Sequence, residues 1–246
     1  MVSSSSSAIF PILGVLLSNG LYFAPAPAVR MAVRRKSIGS LNPLPHALMV
    51  ISTFSWVCYA LSKPDLFITL SNAPGCIASL WYVTSVLPLI PRDSTRQRLL
   101  VQSTVLLGAT CLLGLSISLV LAGVEKEMRS FSFGLFGSCV CVLLFASPLS
   151  TVREVLSHGN AASIYAPLTA AQVINCATWT MYGFAISDIW VWGPNSTGLL
   201  LGIVQLLLKL VFPSNGVVES KRLVGKVLSD DEESCHLTSC STASGD

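Results

Sequence analysis

Charge is what this chain has least of. Only 11% of its 246 residues are charged, against 52% hydrophobic, and the mean hydropathy is +0.68. Soluble domains carry about 25% charged residues, so the balance already places the chain in a bilayer. A net charge of +3, with the basic residues scattered among loops, gives no footprint for nucleic acid. No Asp or Glu lies inside a long apolar run, whereas a carrier coupled to protons or ions ordinarily buries an ionisable group there. The composition therefore favours downhill movement of a neutral solute. Of the eight cysteines, Cys58, Cys76, Cys111, Cys139, Cys141 and Cys176 fall within apolar runs, with no CxxC pair and no His-rich partner. A metal site, a redox cofactor and an enzyme's catalytic set are all unsupported, and the cysteines read as small packing residues. There is no nucleotide-binding loop, so a pump is not indicated either.

What the chain has instead is length of apolar sequence. A spanning helix needs about 20 mostly apolar residues. Seven stretches qualify, at 8–29, 41–62, 66–90, 99–122, 131–152, 162–186 and 188–212. The first is a retained helix, because no Lys or Arg precedes it and Pro27 would follow the mimic of a cleavage site at Ala24-Pro25-Ala26. Lys and Arg then set the orientation. Eleven lie in the loops after helices 1, 3 and 5 and in the tail. Only Lys63, Lys126 and Arg129 lie on the other side. The N-terminus is thus expected outside or in a lumen, and the C-terminus in the cytosol. Lys209, the one charge well inside an apolar run, lies near the cytosolic end, where it can snorkel.

The sequence is also written twice. DLFITLSNAPG (65–75) and DIWVWGPNSTG (188–198) share the skeleton D, six residues, N, two residues, G, at an offset of 123. At that offset Pro25 meets Pro148, Trp56 meets Trp179 and Tyr59 meets Tyr182. Between 25 and 75, twelve of 51 positions are identical; chance would give about three or four. Each copy holds three spans. A direct second copy of an odd unit would be inserted upside down, and the featureless fourth helix corrects this. The expected organisation is a short disordered leader at 1–7, a three-helix repeat at 8–90, a linker with the fourth helix at 91–130, a second repeat at 131–212, and a disordered polar cytosolic tail at 213–246. The tail's SDDEES run (229–234) offers a weak acidophilic kinase site at Ser229. The fold class is all-α, two parallel three-helix bundles joined by one helix.

Asn72 and Asn195 fall about two turns into helices 3 and 7. An amide at that depth must find partners: either it bridges helices, or it meets a hydroxylated ligand with its two donors and two acceptor sites. Trp56 and Trp179, near the outer ends of helices 2 and 6, are either interfacial anchors or stacking faces for a pyranose. Ser52 and Asn175, one turn deeper and equivalent at the same offset, extend any polar lining. Pro25 and Pro148 lie inside helices 1 and 5 and remove backbone bonds there.

FASPLSTVREV (145–155), NCATWTMYGF (175–184), WGPNSTG (192–198) and LGIVQLLLK (201–209), with FAPAPAV (23–29) and FSWVCYAL (54–61), resemble the SWEET sugar uniporters. The resemblance runs over about 10–212. It implies bidirectional facilitated transport of a sugar across a lipid bilayer, at a site built from Trp56, Trp179, Asn72 and Asn195. The first-copy Trp position is often small or polar in that family; two indoles here narrow the cavity toward a monosaccharide. The same resemblance implies hinge prolines at Pro25, Pro45 and Pro148, with Pro167 slightly out of register. It also implies an outer gate of Tyr59, Tyr182, Asp188 and Lys63. A homo-oligomer is compatible with it. Two other functions remain to be weighed. An amino-acid exporter of the related PQ-loop type needs Pro-Gln pairs where this chain has Pro25-Ala26 and Pro148-Leu149. A non-transporting seven-helix receptor on the same scaffold needs basic residues in the cavity.

Overall fold

The computed structural model describes residues 4–39, 41–121 and 123–212, and every regular element among them is helical. The expected tail at 213–246, with Ser229, lies outside the described residues. In order the elements are α1 (Ser4–Phe23), α2 (Ala26–Arg35), α3 (Leu44–Ser62), α4 (Leu66–Val86), α5 (Thr95–Leu121), α6 (Lys126–Leu144), α7 (Ala146–His158), α8 (Ala166–Ala185) and α9 (Ile189–Val211). A short 3-10 turn (Leu87–Leu89) extends α4. The helix at the N-terminus begins at Ser4, inside the stretch expected as a leader, because the serine run holds no Gly or Pro to stop it.

Two helices expected to be single are broken. Pro25 has no amide for the carbonyl of Leu21, and its ring would press on that turn. The chain turns at Ala24, whose N–H goes back to Leu21 O at 3.3 Å, and restarts as α2. In the second copy the break falls at Phe145, three residues before Pro148; its N–H reaches Cys141 O at 3.0 Å. Counting α1 with α2 and α6 with α7, seven membrane helices result. Six are long and apolar enough to cross a membrane by length and composition. The seventh, α8, has the 20 residues needed but is more polar, because it carries Gln172, Asn175, Thr178 and Thr180.

The two copies fold into equivalent bundles. In the first, α4 packs on α1, α2 and α3; in the second, α9 packs on α6, α7 and α8. The bundles meet along two seams, α1 with α8 and α3 with α6, while α5 lies against the outside of α3. Trp56, Tyr59, Phe133, Trp179 and Tyr182 bury one core cluster across the seams. In lipid there is no hydrophobic drive between helices, so close approach through small residues has to supply the packing. Gly14 of α1 sits under the Trp179 ring, and a Cβ there would lie 2.9 Å from it. Its equivalent, Gly137 of α6, sits under Trp56 in the same way, at 3.3 Å.

The tightest glycine contact with backbone is within the second bundle. A Cβ on Gly183 would stand 2.6 Å from the backbone N of Trp192. Backbone cannot swing away as a side chain does. Gly183→Ala should therefore lower the thermal midpoint of the purified protein, overpacking costing about 1–3 kcal/mol against about 1 kcal/mol of helix propensity gained. Gly114→Ala in α5, with nothing within 4 Å, should hold or raise it. Equal midpoints for the two variants would mean α8 and α9 are not held by close backbone approach.

Candidate functional site

One end of the bundle interface is closed by two aspartates. Each N-caps the third helix of its own bundle: Asp65 Oδ1 accepts from Ile68 N at 3.0 Å and Asp188 Oδ1 from Trp190 N at 3.1 Å. The free N–H groups and dipole of a helix start favour a carboxylate there. The second oxygen of each faces the opposite bundle. Tyr182 OH donates to Asp65 Oδ2 at 2.7 Å, and Tyr59 OH donates to Asp188 Oδ2. The exchange is reciprocal, since Tyr59 and Tyr182, like Asp65 and Asp188, are related by the 123-residue offset. It is also unequal. Lys63 Nζ adds an ion pair to Asp188 at 2.6 Å, which balances a carboxylate only 2% exposed; its counterpart in the second copy is Ile186. The structure places all four residues expected as a gate at this closure. Asp65, which the offset would have supplied, stands with them.

Below this closure lies a cavity of ≈610 Å³ between the bundles, within the about 300–1,000 Å³ of ligand pockets. Asn72, Asn195, Trp56, Trp179, Ser52 and Asn175 all line it. Both indoles are buried, at 9% and 6% exposure, so neither is an interfacial anchor. The walls differ across the pseudo-axis. Trp179 Nε1 donates to Ser18 Oγ at 2.9 Å, and Ser18 donates to Asn175 Oδ1 at 2.9 Å, tying α1 to α8. The equivalent positions on the other seam are Trp56, Cys141 and Ser52, where the only bond among them is a 3.9 Å contact between Ser52 Oγ and Cys141 Sγ. Asn72 Nδ2 donates back to Ile68 O at 2.9 Å, and Asn195 Nδ2 to Val191 O at 2.7 Å. Those bonds to the preceding turn fix both amides facing inward. Ser18, Tyr22, Gln172 and Gln205 also line the cavity. Composition gave no sign of them, although the offset pairs Ser18 with Cys141 and Tyr22 with Phe145.

Toward the other end the lining reaches Pro25 and Pro148 and becomes accessible; Gln172 and Leu168 are exposed where Tyr59 and Asp188 are not. The third helix of each bundle bonds a carbonyl of the broken helix beside it: Tyr82 OH donates to Tyr22 O, at the first break, at 2.8 Å, and Gln205 Nε2 to Pro148 O, three residues past the second, at 3.3 Å. Pro45 and Pro167 are not interior to helices. Each stands in the first turn, of α3 and α8 respectively, where no helical amide is lost. Lys209 Nζ donates to Ala161 O at 2.7 Å, pinning the end of α9 to the loop before α8.

A family model described as a sugar efflux transporter for intercellular exchange matches residues 8–91 and 131–216, one match per bundle. Among curated proteins, the bidirectional sugar transporter SWEET14 of Arabidopsis thaliana is 30% identical over 96% of this chain and 85% of its own length. The bidirectional sugar transporter NEC1 of Petunia hybrida is 31% identical over 93% of this chain and 81% of its own. The sugar transporter SWEET1 of Dictyostelium discoideum is 26% identical over 78% of this chain and 87% of its own. Among solved structures, a eukaryotic SWEET transporter superposes with a TM-score of 0.72, at 20% identity, over 82% of this chain and 94% of that one. With two matched repeats, two bundles in parallel and a cavity at their joint, this chain belongs to the SWEET family.

Proposed function

We propose that the protein carries sugars, monosaccharides first, down their gradient in either direction by rocking its two bundles about the central cavity. The observation that carries this is one cavity that holds paired amides and paired indoles, latched at one end by tyrosine–aspartate bonds between bundles and bordered at the other by two broken helices. Relatives named as bidirectional sugar transporters support the solute class. On the charge asymmetry, the N-terminus is outside or lumenal, and the conformation described here then faces the cytosol. The repeats at 8–90 and 131–212 are the moving bodies, with Pro25 and Pro148 as hinges and Pro45 and Pro167 as pivots at the adjoining helix starts. Tyr59, Tyr182, Asp188 and Lys63, joined by Asp65, form the outer gate. Asn72, Asn195, Trp56, Trp179, Ser52 and Asn175 line the binding site.

Uncoupled transport follows from the lining. Among the described residues, those around the cavity include no Asp, Glu, Lys or Arg, so a buried proton or ion relay has no seat there. The same fact weighs against a PQ-loop exporter with a buried carboxylate and against a receptor that grips a carboxylate with basic residues. In proteoliposomes, labelled glucose should enter and leave at matched rates, and a protonophore should change neither. A strong dependence on a pH gradient would end the uniport proposal.

Within the site, neutral aromatic stacking adds about 0.5–1.5 kcal/mol beyond area burial, whereas an amide removed from a desolvated hydroxyl costs about 1–3 kcal/mol. Asn195→Ala should therefore depress monosaccharide uptake far more than Trp56→Ser, and only the Trp56 variant should admit some disaccharide. Parent-like uptake by both variants would reduce the amides to helix–helix ties. For the hinges, Pro148→Ala should slow turnover while leaving membrane yield and ligand affinity near the parent's, since it restores an amide to a helix that has to bend. Unchanged turnover in both Pro25→Ala and Pro148→Ala would leave the prolines as static kinks.

A further inference from the structure

The two copies of the D-x6-N-x2-G skeleton present chemically different amides to the cavity. A side-chain amide has two N–H donors and two acceptor sites on its oxygen. Asn72 has both donors engaged, one with Ile68 O at 2.9 Å and one with Ser71 Oγ at 2.9 Å. Its oxygen accepts from Tyr22 OH at 3.1 Å. Because Nδ2 is turned to the carbonyl of the preceding turn, Oδ1 is the atom that faces Tyr22, and the phenol must donate. Asn195 has one donor engaged, with Val191 O, and no partner among the described residues for its oxygen or its second N–H.

Two sequence differences between the copies account for this. The counterpart of Ser71 is Pro194, which has no hydroxyl, and the counterpart of Tyr22 is Phe145, which has the ring without the oxygen. Both Tyr22 and Phe145 line the cavity. Each ring lies close to the skeleton glycine of its own copy: a Cβ on Gly75 would stand 2.5 Å from the Tyr22 ring, and one on Gly198 3.3 Å from Phe145. The rings are therefore placed alike. Only the hydroxyl differs. Burial follows suit, Asn72 being 8% exposed and Asn195 half-buried.

We propose that Tyr22 is a specificity-determining residue. Together with Ser71 it commits Asn72 to the α1–α4 contact, so that Asn195 alone supplies a free amide, one donor and an open acceptor, to a ligand hydroxyl. The site is single-sided toward the sugar, although its sequence is duplicated. This rests on the transport proposal for its ligand, a polyhydroxylated neutral ring, but its decisive measurement is binding rather than flux.

The test uses the purified full-length protein, equilibrium binding of labelled glucose, and competition by its singly deoxygenated analogues. In the parent, one analogue, lacking the hydroxyl that meets Asn195, should bind about tenfold more weakly than glucose. Tyr22→Phe opens the Asn72 acceptor, so a second analogue should lose affinity by a similar factor relative to glucose. In an Asn195→Ala background, Tyr22→Phe should restore part of the lost glucose binding; a merely structural tyrosine would only weaken it further. Ser71→Ala, which frees an N–H instead, should add to that rescue without touching the aromatic ring. Thermal midpoints near the parent's establish that each variant is folded. An analogue ranking in Tyr22→Phe identical to the parent's, together with no rescue of Asn195→Ala, would overturn the proposal. Binding with the expected pattern but no flux in proteoliposomes would overturn the transport proposal and leave Tyr22 in its assigned role. A parent that binds no member of the panel would overturn both.

Discussion

A carboxylate has two oxygens, and at Asp65 and Asp188 they point into different bundles. One oxygen caps the helix on which the residue sits; the other accepts from the tyrosine of the opposite copy. A hydrogen bond to a charged group contributes about 1.5–3 kcal/mol, enough to bias two bundles toward one arrangement and small enough to be broken in a working cycle. Burial sharpens the requirement. Asp188 is shut away from water, and an uncompensated charge there would be strongly destabilising. Tyr59 and Lys63 converge on the same oxygen and make its burial tolerable. The cavity below exists because this end is shut while the proline end is not.

The prolines act through a constraint peculiar to lipid. With no water in the hydrocarbon region, each backbone group freed by a break has to find a partner within the protein. At the first break the third helix supplies one, Tyr82 for Tyr22 O; in the second copy Gln205 adds a bond to Pro148 O, three residues past the break. Tyr22 thus stands at a junction: its carbonyl adjoins the break while its hydroxyl reaches Asn72 in the proposed site. A change in bend at Pro25 has a direct covalent and hydrogen-bonded route to the amide above it. Glycine beneath each cavity indole gives the seams the closeness that makes such small shifts matter.

Duplication supplied two of everything, and divergence made the halves unequal. Ser18 and Cys141, Tyr22 and Phe145, Ser71 and Pro194, and Lys63 and Ile186 are all repeat partners of different chemistry. Each difference moves a hydrogen bond from one side of the pseudo-axis to the other. The α1–α8 seam gains the Trp179–Ser18–Asn175 chain, the first copy's amide is engaged, and the tyrosine–aspartate closure carries its cation on one side only. A sugar ring has no two-fold symmetry, and an unsymmetrical cavity suits it better than a doubled one.

The sequence by itself determined the bilayer, the helical class, the parallel repeats and part of the cavity lining, namely Asn72, Asn195, Trp56, Trp179, Ser52 and Asn175. It did so because hydropathy and internal repetition are local properties, readable position by position, and because lipid leaves a polar residue in a helix few roles. The skeleton D-x6-N-x2-G correctly marked both helix starts and both cavity amides. Tertiary structure decided what depends on distance across the seams. That each Asp pairs with the other copy's Tyr, that both Trp residues are buried and not interfacial, and that Pro45 and Pro167 open helices instead of kinking them are facts of packing. So is the engagement of Asn72 and the openness of Asn195: an amide reads the same in one dimension whether its oxygen meets a phenol or faces a cavity, and only the fold brings Tyr22 to one copy and the bare ring of Phe145 to the other.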